Sequence, residues 1–466
     1  MGDEVFDALR FAEQELVLFA AFWFMVGAAD ELAVDLVWLW LRFTGRSRSL
    51  SLPRGYEKRP LSGCFAVLVP AWNEPEVIGE MIAHTLQAWP QRELTLYVGC
   101  YCNDIATLSS AMRGAGGDPR LRLVVHDHLG PTTKGDCLNR LHRAMLVDED
   151  RRGTAYTGVV FHDAEDMVHP AALSAIDRAL EQFDFVQLPV RPEPQRSSRW
   201  VAGHYADEFT EAHAKTLVVR NALAAAIPGA GVGCGLSRAA LERLAAGRAG
   251  EGEPGPFSRD SLTEDYELGL LLSRHGAKSC FLRARDSSGA LIATRAFFPA
   301  TLAQAVRQKT RWIHGIALQG WDRLGWTRRP VDIWMELRDR RGPLTAIVLA
   351  AAYLLILIEG LLLAARLAGL RAPADISPRL ATMISLCFAS FVWRAAWRFG
   401  FTAHEYGGWE GLRALLRIPV GNVIAIIAGR RALAAYIRSL CGAVVTWDKT
   451  SHDRHPAARP SRAGAR

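Results

Sequence analysis

The sequence is organised around a short apolar run that ends abruptly in acidic residues, TGVVFHDAED at 157–166. Residues 159–161 have the composition of a buried strand. Pro170 then opens a predicted helix, since proline is tolerated in a helix's first turn. Because the strand ends at these carboxylates and a helix follows, the carboxylates lie at the carboxyl end of the strand. Ligands bind at this edge of the sheet in open α/β folds. The pattern therefore predicts an α/β fold with a ligand site at this strand end.

The acidic residues of this run are Asp163, Glu165 and Asp166. Carboxylates this close together repel each other, which favours raised pKa values or a bound cation. Oxygen ligands suit Mg²⁺ or Mn²⁺, and such ions usually bridge to phosphate oxygens. The alternative is an acidic helix entry that only complements the helix dipole. Spacing alone leaves both interpretations open.

Strands and helices alternate over residues 64–317. Strands are predicted at 65–69, 94–99, 120–125 and 185–188 as well as 159–161, with helical periodicity between most of them. This order predicts a mostly parallel sheet with crossover helices. Polar residues that follow the strands would then share one rim of the sheet, and they are Asn73, Asp104, Lys134 and the acidic cluster. The chain contains no phosphate loop of the G-x-x-x-x-G-K-[ST] type.

Two segments carry further candidate residues, each with a purely structural alternative. The glycine cluster at 229–235 is either a loop that approaches another group closely or a flexible turn. Thr263, Glu264 and Asp265 open a helix, and threonine followed by acids is also an ordinary N-terminal cap.

A helix predicted over 301–316 contains Gln308, Arg311 and Trp312 at i, i+3 and i+4. Residues at this spacing lie on one helical face and can project together into a site. The alternative is an amphipathic helix on the membrane surface, with its tryptophan at the interface.

Half of the 466 residues are hydrophobic, and the long apolar runs lie towards the two ends of the chain. Residues 11–29 are predicted to span a membrane, and the acids at 30–35 to lie on a surface helix facing other protein. The basic stretch at 42–59 follows this apolar run, the opposite polarity to a signal peptide. The alternative is a soluble core helix, because the clean run is shorter than the ~20 residues that a span needs.

Residues 344–370 and 380–401 are predicted spans, and 418–437 could span, re-enter or lie at the interface. Glu359 is expensive within a span and is therefore expected to face the helix bundle or a polar path. Arginines gather where the second span returns, a side that the positive-inside rule assigns to the cytoplasm. We expect four regions: N-terminal membrane helices at 1–43, a cytoplasmic domain at 44–340, C-terminal membrane helices at 341–445, and a cytoplasmic tail at 446–466.

The cysteine spacing and the position of the charged residues argue against a cysteine-based framework and against a nucleic-acid partner. The eight cysteines show no C-x-x-C pair, so neither a cysteine zinc site nor a disulfide framework is indicated, and buried thiols in a reducing compartment are favoured. The net charge of +7 comes from arginines beside apolar spans, which argues against a nucleic-acid partner.

Taken in order, these motifs resemble those of the family-two inverting glycosyltransferases, specifically membrane-embedded synthases such as cellulose and hyaluronan synthases. The runs at 30–35 and 162–166 are similar to those of the NfrB-type bacterial inner-membrane transferases. Residues 447–452 (WDKTSH) are similar to a W-x-K-T-x-H/R gating segment, the alternative being a juxtamembrane basic tail. The resemblance covers about 65–315 and is carried by Asn73-Glu74, Asp104, Asp163-Ala164-Glu165, Glu264-Asp265 and Gln308-Lys309-Thr310-Arg311-Trp312.

The resemblance implies a GT-A (Rossmann-like) nucleotide-sugar domain with N- and C-terminal transmembrane helices. It implies an inverting transferase at the bacterial inner membrane that uses a nucleotide sugar, expected to be a UDP-sugar, to build a cell-surface or exported polysaccharide. Implied partners are the donor, a glycan or lipid-linked acceptor, membrane lipid and an export partner. The alternatives are a non-processive transferase acting on a lipid-linked acceptor, and a catalytically silent membrane subunit.

The resemblance also implies roles for single residues. Asp163 and either Glu165 or Asp166 would hold Mg²⁺ or Mn²⁺, Asp104 would contact the uridine, and Lys134 the ribose or pyrophosphate. Asp265 would be the general base. Glu264 and Arg311 are the other implied catalytic residues, with Arg311 at the departing diphosphate. Trp312 is implied to lie at the acceptor sugar. The implied substrate-binding residues are Asn73, Glu74 and Gln308.

Overall fold

The computed structural model describes residues 2–47, 49–250, 255–369, 377–442 and 454–458. Its strands are β1 (Leu50–Ser51), β2 (Phe65–Pro70), β3 (Leu94–Tyr101), β4 (Leu121–His126), β5 (Gly158–Phe161), β6 (Phe185–Gln187), β7 (Val190–Pro192), β8 (Cys234–Ser237), β9 (Ser279–Phe281), β10 (Ala284–Arg285) and β11 (Thr294–Ala296). Its helices are α1 (Gly2–Phe43), α2 (Ile78–Ala88), α3 (Ile105–Ala115), α4 (Lys134–Arg152), α5 (Ala172–Leu180), α6 (Val201–Glu211), α7 (Leu217–Ala222), α8 (Arg238–Gly250), α9 (Glu264–Arg274), α10 (Leu302–Trp312), α11 (Gly320–Leu324), α12 (Pro330–Arg340), α13 (Gly342–Leu367), α14 (Pro378–Tyr406), α15 (Gly408–Leu416) and α16 (Ile418–Leu440). Short 3₁₀ turns lie at Tyr56–Lys58 and Arg196–Ser198, and π-helical turns at Ala212–Thr216 and Ile313–Gln319.

Seven strands form the central sheet in the order β4-β3-β2-β5-β8-β6-β9. All neighbouring pairs are parallel except those that β8 makes with β5 and β6. The five predicted strands and the mostly parallel sheet are confirmed. Strand β8 was not predicted, because its sequence, CGLS, is short and its first residues belong to the glycine cluster that was interpreted as a loop or a turn.

The sheet is buried on both faces, which explains why its strands are continuously apolar. Residues 65–69 of β2 are fully buried, and their side chains alternate between two cores. Val67 packs in the core beneath α2 and α5. Leu68 packs in the core beneath α4, α8 and α9. Helices on both faces leave the carboxyl ends of β2, β3, β4 and β5 along one rim, as expected from the sequence.

Four helices in the described part of the chain are long and apolar enough to cross a membrane: Phe11–Phe43 of α1, then α13, α14 and α16. The predicted spans therefore all coincide with such helices, including the uncertain one at 418–437. The prediction for Glu359 is wrong, because its side chain is exposed. The preceding residue, Ile358, lies on the buried face of α13. Successive residues of an α-helix are rotated by about 100°, so the side chain of Glu359 points away from that face.

Helix α1 is a single continuous helix of 42 residues, about 63 Å long, rather than a span followed by a separate surface helix. Its acidic residues face other parts of the protein, as predicted. Asp30 lies 2.9 Å from Arg341, Glu31 lies 2.7 Å from Arg394, and Asp35 lies 2.5 Å from Lys215. The second half of α1 is thus anchored by ion pairs to the α/β domain and to α14. The predicted gating segment at 447–452 lies outside the described residues.

Candidate active site

A cavity of about 450 Å³ opens at the carboxyl ends of the parallel strands. Its volume is within the usual range for small-molecule sites. Residues far apart in the sequence contribute to its wall, since they come from the ends of β2, β3, β5 and β11 and from α4, α9 and α10. The predicted site residues that line it are Glu74, Lys134, Asp163, Glu165, Asp166, Glu264, Asp265, Gln308, Arg311 and Trp312.

Asn73 and Asp104 are not among the described residues that line this cavity. Asp104 caps α3 by accepting a hydrogen bond from Thr107 N, and it also accepts one of 2.5 Å from Asn73 N. Asn73 has a left-handed backbone with φ of 52°, a conformation that asparagine tolerates better than most residues. The pair holds the turn that carries Trp72 and Glu74 into the cavity. Their contact with a nucleotide stays a prediction.

Lys134, the first residue of α4, lies between the acidic groups of the site. Its Nζ is 2.6 Å from Asp163 Oδ1 and 3.7 Å from Glu264 Oε1. Burial works to lower the pKa of Lys134, but the carboxylates of Asp163, Glu264 and Asp265 together raise it above its usual range. The ammonium therefore stays charged and partly neutralises the carboxylates around it.

The acidic turn after β5 separates its carboxylates into two groups. Asp166 is buried, and its Oδ2 accepts hydrogen bonds from Asp163 N at 2.9 Å and from His162 Nδ1 at 2.8 Å. Asp163 and Glu165 are only partly buried at the cavity wall. The turn therefore uses Asp166 to hold its own backbone, which favours Asp163 and Glu165 as the pair available to a cation. His162 was not recognised from the sequence as part of this turn.

Glu264 is buried and Asp265 is partly buried in the first turn of α9. Thr263 occupies the N-cap position, but its hydroxyl has no hydrogen-bond partner among the described residues. The interpretation of Thr263 as an ordinary side-chain cap is therefore wrong; Asp265 Oδ1 accepts from Tyr266 N instead. Burial raises the pKa of Glu264 to about 7, and burial also raises the pKa of Asp265, against the effect of Lys134. Two acids with raised pKa values in a cleft are suited to proton transfer.

The glycine cluster at 229–235 lies very close to the first turn of α9. A methyl group added at Gly229 would lie 2.5 Å from the carbonyl oxygen of Asp265. One added at Gly231, whose φ is +74°, would collide with Asp265 Oδ2 and lie 3.1 Å from Lys134 Nζ. The close-approach interpretation of this segment is confirmed.

Gly231→Ala should lower activity far more than it lowers stability. Alanine at a positive φ costs about 1–2 kcal/mol, and here its methyl group would also displace Asp265 and Lys134. Gly276→Ala is the matched control, because Gly276 has φ of +78° and open space around its Cα. We expect similar unfolding midpoints for the two variants and a loss of turnover only in Gly231→Ala. Equal activities would show that the close approach has no effect on the site.

Gln308, Arg311 and Trp312 lie on one face of α10, and all three line the cavity, which confirms the predicted geometry. The ring of Trp312 packs edge-on against Tyr205 with centroids 6.0 Å apart. Just after Trp312 the helix widens into the π-helical turn Ile313–Gln319, a feature that often marks functional sites.

Aromatic residues at two strand ends form a wall of the cavity that was not predicted. Trp72 follows β2, and Tyr101 ends β3; their rings pack edge-on at 5.1 Å. The hydroxyl of Tyr101 lies 2.5 Å from that of Thr132, which also lines the cavity. Their positions at the carboxyl ends of parallel strands were the available signal.

Residues 454–458 pack against the acidic turn. His455 is buried, and its Nε2 donates a 2.9 Å hydrogen bond to the carbonyl oxygen of Asp166 while its Nδ1 accepts from Ala457 N. Burial lowers the pKa of His455 to about 4, so the ring is neutral. The carboxy-terminal region therefore reaches the back of the turn that carries Asp163 and Glu165.

The family described as "Glycosyltransferase like family 2" matches residues 62–315, more than half of the chain, and this range contains all the predicted site residues that line the cavity. The chain belongs to this family. Two curated relatives, bacteriophage adsorption protein B of Escherichia coli strain K12 and bacteriophage N4 adsorption protein B of E. coli O157:H7, are each 33% identical over 97% of the chain. The chain spans 63% of the length of these relatives. The predicted family and its mixed α/β, GT-A-like fold are confirmed.

The solved structures to which the chain is similar include a mannosyltransferase and a glucosyl-3-phosphoglycerate synthase. A mannosyltransferase of Pyrobaculum calidifontis in complex with GDP-Man and Mn²⁺ is 16% identical, covers 88% of this chain and 99% of its own, and has a TM-score of 0.48. Glucosyl-3-phosphoglycerate synthase of Mycobacterium tuberculosis with Mg²⁺ and UDP is 19% identical, covers 60% of this chain and 88% of its own, and has a TM-score of 0.34.

Proposed function

We propose that this protein is an inverting glycosyltransferase that uses a nucleotide-sugar donor, specifically a UDP-sugar, to build a polysaccharide at the bacterial inner membrane. The observation that supports this proposal is the meeting of Asp163, Asp265 and Arg311 in one cavity of ligand size. An exported glycan also agrees with the names of the curated relatives as phage adsorption proteins, because adsorption takes place at the cell surface.

The acidic turn fits a divalent cation. Asp163 and Glu165 offer carboxylate oxygens at the cavity wall, and such ligands suit Mg²⁺ or Mn²⁺. A bound ion would supply positive charge that neutralises the diphosphate of the donor. Lys134 adds a fixed positive charge 2.6 Å from Asp163, in the region where the phosphates would lie.

The reaction follows from the positions of Asp265 and Arg311. Asp265 would remove the proton from the acceptor hydroxyl, whose oxygen then attacks the anomeric carbon from the face opposite the diphosphate. The new glycosidic bond forms as the bond to the diphosphate oxygen breaks, so the configuration inverts. Arg311 would stabilise the negative charge of the leaving diphosphate, as bidentate guanidinium groups commonly do. Trp312 would stack on the acceptor sugar.

The membrane helices define where this chemistry would take place. The candidate spans in α1, α13 and α14, with the arginines in the second half of α14, support a catalytic domain on the cytoplasmic side. Nucleotide sugars are cytoplasmic substrates in this proposal, and the product would leave through the membrane or through an export partner.

A second candidate function, transfer of a single sugar to a lipid-linked acceptor, is favoured by the contact between the cavity and the membrane helices. Trp312 packs in the same apolar cluster as Ile424 and Ile427 of α16, a candidate span. An acceptor held at Trp312 would therefore lie beside the membrane. Four candidate spans in the described residues are also few for a sugar channel within one chain.

Donor turnover tests the proposed function. Purified full-length protein in detergent would be incubated with a panel of UDP- and GDP-sugars, and release of nucleoside diphosphate measured with Mg²⁺, with Mn²⁺ and with a chelator. We expect release from one class of donor that the chelator abolishes. No release from any donor with either metal would favour the silent membrane subunit. The length of the labelled product on a gel separates polymer synthesis from transfer of one sugar.

A further inference from the structure

A cluster of two histidines and two aspartates lies behind the aromatic wall, outside the acidic turn. His126 ends β4, His128 follows it, and Asp136 lies in the first turn of α4. One ligand atom from each of these three residues lies within 4.8 Å of the other two. We propose that His126, His128 and Asp136 form a site for a transition-metal dication such as Zn²⁺, distinct from the donor-binding acids.

The buried histidine provides the first argument for a ligand at this site. His126 is 2% exposed, and neither of its ring nitrogens has a hydrogen-bond partner among the residues that the structure describes. A buried polar group left without a partner costs about 1–3 kcal/mol, so such a group calls for an explanation. A metal ion bonded to Nε2 would satisfy this ring.

The distances around Asp136 Oδ2 provide the second argument. This oxygen is 3.3 Å from His128 Nε2 and 3.8 Å from His126 Nε2. The first separation is a long hydrogen bond and the second exceeds hydrogen-bond range, since such bonds centre near 2.9 Å. Two donors that each lie ~2.0–2.1 Å from one tetrahedral zinc ion are roughly 3.3 Å apart. Small side-chain shifts would therefore bring the three ligand atoms around one ion.

The outer partners orient the three ligands. Asp127 Oδ1 lies 3.3 Å from His128 Nδ1 and 3.8 Å from His126 Nδ1, so both rings turn Nδ1 towards it and Nε2 towards Asp136. A carboxylate on the far side of a ligating imidazole is the usual outer partner of such sites. Arg259 Nε lies 3.0 Å from Asp136 Oδ1, the oxygen that does not face the rings. Arg140 adds a nearby positive charge that the carboxylate of Asp127 offsets.

The chemistry of the ligands separates this site from the acidic turn. Two imidazoles favour zinc and similar transition metals, whereas carboxylates without imidazole suit magnesium or manganese. His128 is 53% exposed at its side chain, which provides an entry path for an ion.

A metal at this site would support the donor cavity through Tyr101. The rings of His126 and Tyr101 are paired across β4 and β3 and stack at 4.6 Å with an angle of 1° between them. The ion would also join the end of β4 to the first turn of α4, which begins at Lys134. It would therefore fix both the aromatic wall and the lysine of the cavity without touching the donor.

Cobalt binding tests this proposal. Full-length protein without a polyhistidine tag would be stripped with a chelator and titrated with Co²⁺ in excess Mg²⁺, which occupies oxygen-only sites. The visible absorption of four-coordinate Co²⁺ would be recorded for wild type, His128→Gln, Asp136→Asn and His126→Phe, the last of which retains a ring against Tyr101. His275→Gln, at an exposed histidine after α9, is the control.

We expect one Co²⁺ per wild-type and His275→Gln chain, and at least ~10-fold weaker binding in each of the three cluster variants. Zn²⁺ should displace the Co²⁺ and should raise the unfolding midpoint of the wild type but not that of His128→Gln. Because His128 is exposed, its substitution should leave the fold intact, so misfolding would not explain a loss of metal binding. Wild-type affinity in His128→Gln, or no binding of Co²⁺ by the wild type in excess Mg²⁺, would overturn the proposal.

Discussion

Asp265→Asn should lower turnover by about 10²–10⁴-fold, the usual contribution of a positioned general base. Asparagine has nearly the same shape and can still accept the hydrogen bond from Tyr266 N, but it cannot take a proton from the acceptor. The loss should therefore appear in kcat, with little change in donor affinity. Steady-state rates of diphosphate release, with donor and acceptor varied separately, measure both quantities.

The pH profile gives a second signature of the same role. Burial raises the pKa of Asp265, and a base acts only when deprotonated, so the wild-type rate should fall as the pH drops through that pKa. Glu264, whose pKa burial raises to about 7, titrates in the same environment. In Asp265→Asn, the residual rate should no longer show the fall that protonation of Asp265 causes in the wild type at low pH.

Asp260→Asn is the matched control, because Asp260 is an exposed carboxylate in the segment that leads to α9. It should retain wild-type turnover and the wild-type pH profile. If Asp265→Asn kept normal turnover, another group would have to be the base. A loss of the same size in Asp260→Asn would show that the segment is merely sensitive to substitution.

The sequence was sufficient for the parts of the fold that depend on local patterns. The run at 157–166 predicted a buried strand with acids at its carboxyl end, and β5 followed by Asp163 and Glu165 is what the structure contains. The spacing of Gln308, Arg311 and Trp312 likewise predicted one helical face, because helical periodicity is a local property.

Features that depend on long-range packing were missed or were wrong. Strand β8 is held by pairing with β5 and β6, which its own four residues do not indicate. Thr263 matched the composition of a cap, but its hydroxyl is packed against Gly315 instead. The outward position of Glu359 depends on which face of α13 other helices cover.

The His126 cluster illustrates the same limit. His126 and His128 are two residues apart, but Asp136 lies eight residues further along the chain, so the sequence does not join the three ligands in one short motif. They meet because His126 ends β4 and Asp136 lies in the first turn of the helix that follows, with the intervening segment returning across the rim of the sheet. Only the three-dimensional arrangement brings the two imidazoles to one carboxylate oxygen.

Lys215→Met should destabilise the protein by about 3–5 kcal/mol, the usual cost of removing one partner from a buried ion pair. Lys215 is fully buried, and its Nζ lies 2.5 Å from Asp35 of α1 and 2.8 Å from Glu211. Methionine fills a similar volume, so the loss would come from the charge. Asp35 would keep a hydrogen bond from Trp393 Nε1 and the more distant charge of Arg394, but would lose its direct ion pair. Urea unfolding in detergent, followed by tryptophan fluorescence, measures the change.

The double variant Lys215→Met with Asp35→Asn separates an uncompensated charge from a lost packing contact. Asparagine still accepts from Trp393 but carries no charge, and Glu211 keeps its 2.9 Å ion pair with Arg394. Replacing a buried pair by neutral groups is often nearly neutral for stability. Most of the lost stability should therefore return, and Lys278→Met, at an exposed lysine, should have little effect. If the double variant were as unstable as Lys215→Met, packing of the lysine stem would explain the loss. Recovery would instead show that the loss in Lys215→Met comes from the uncompensated charge of Asp35 at the contact between α1 and the catalytic domain.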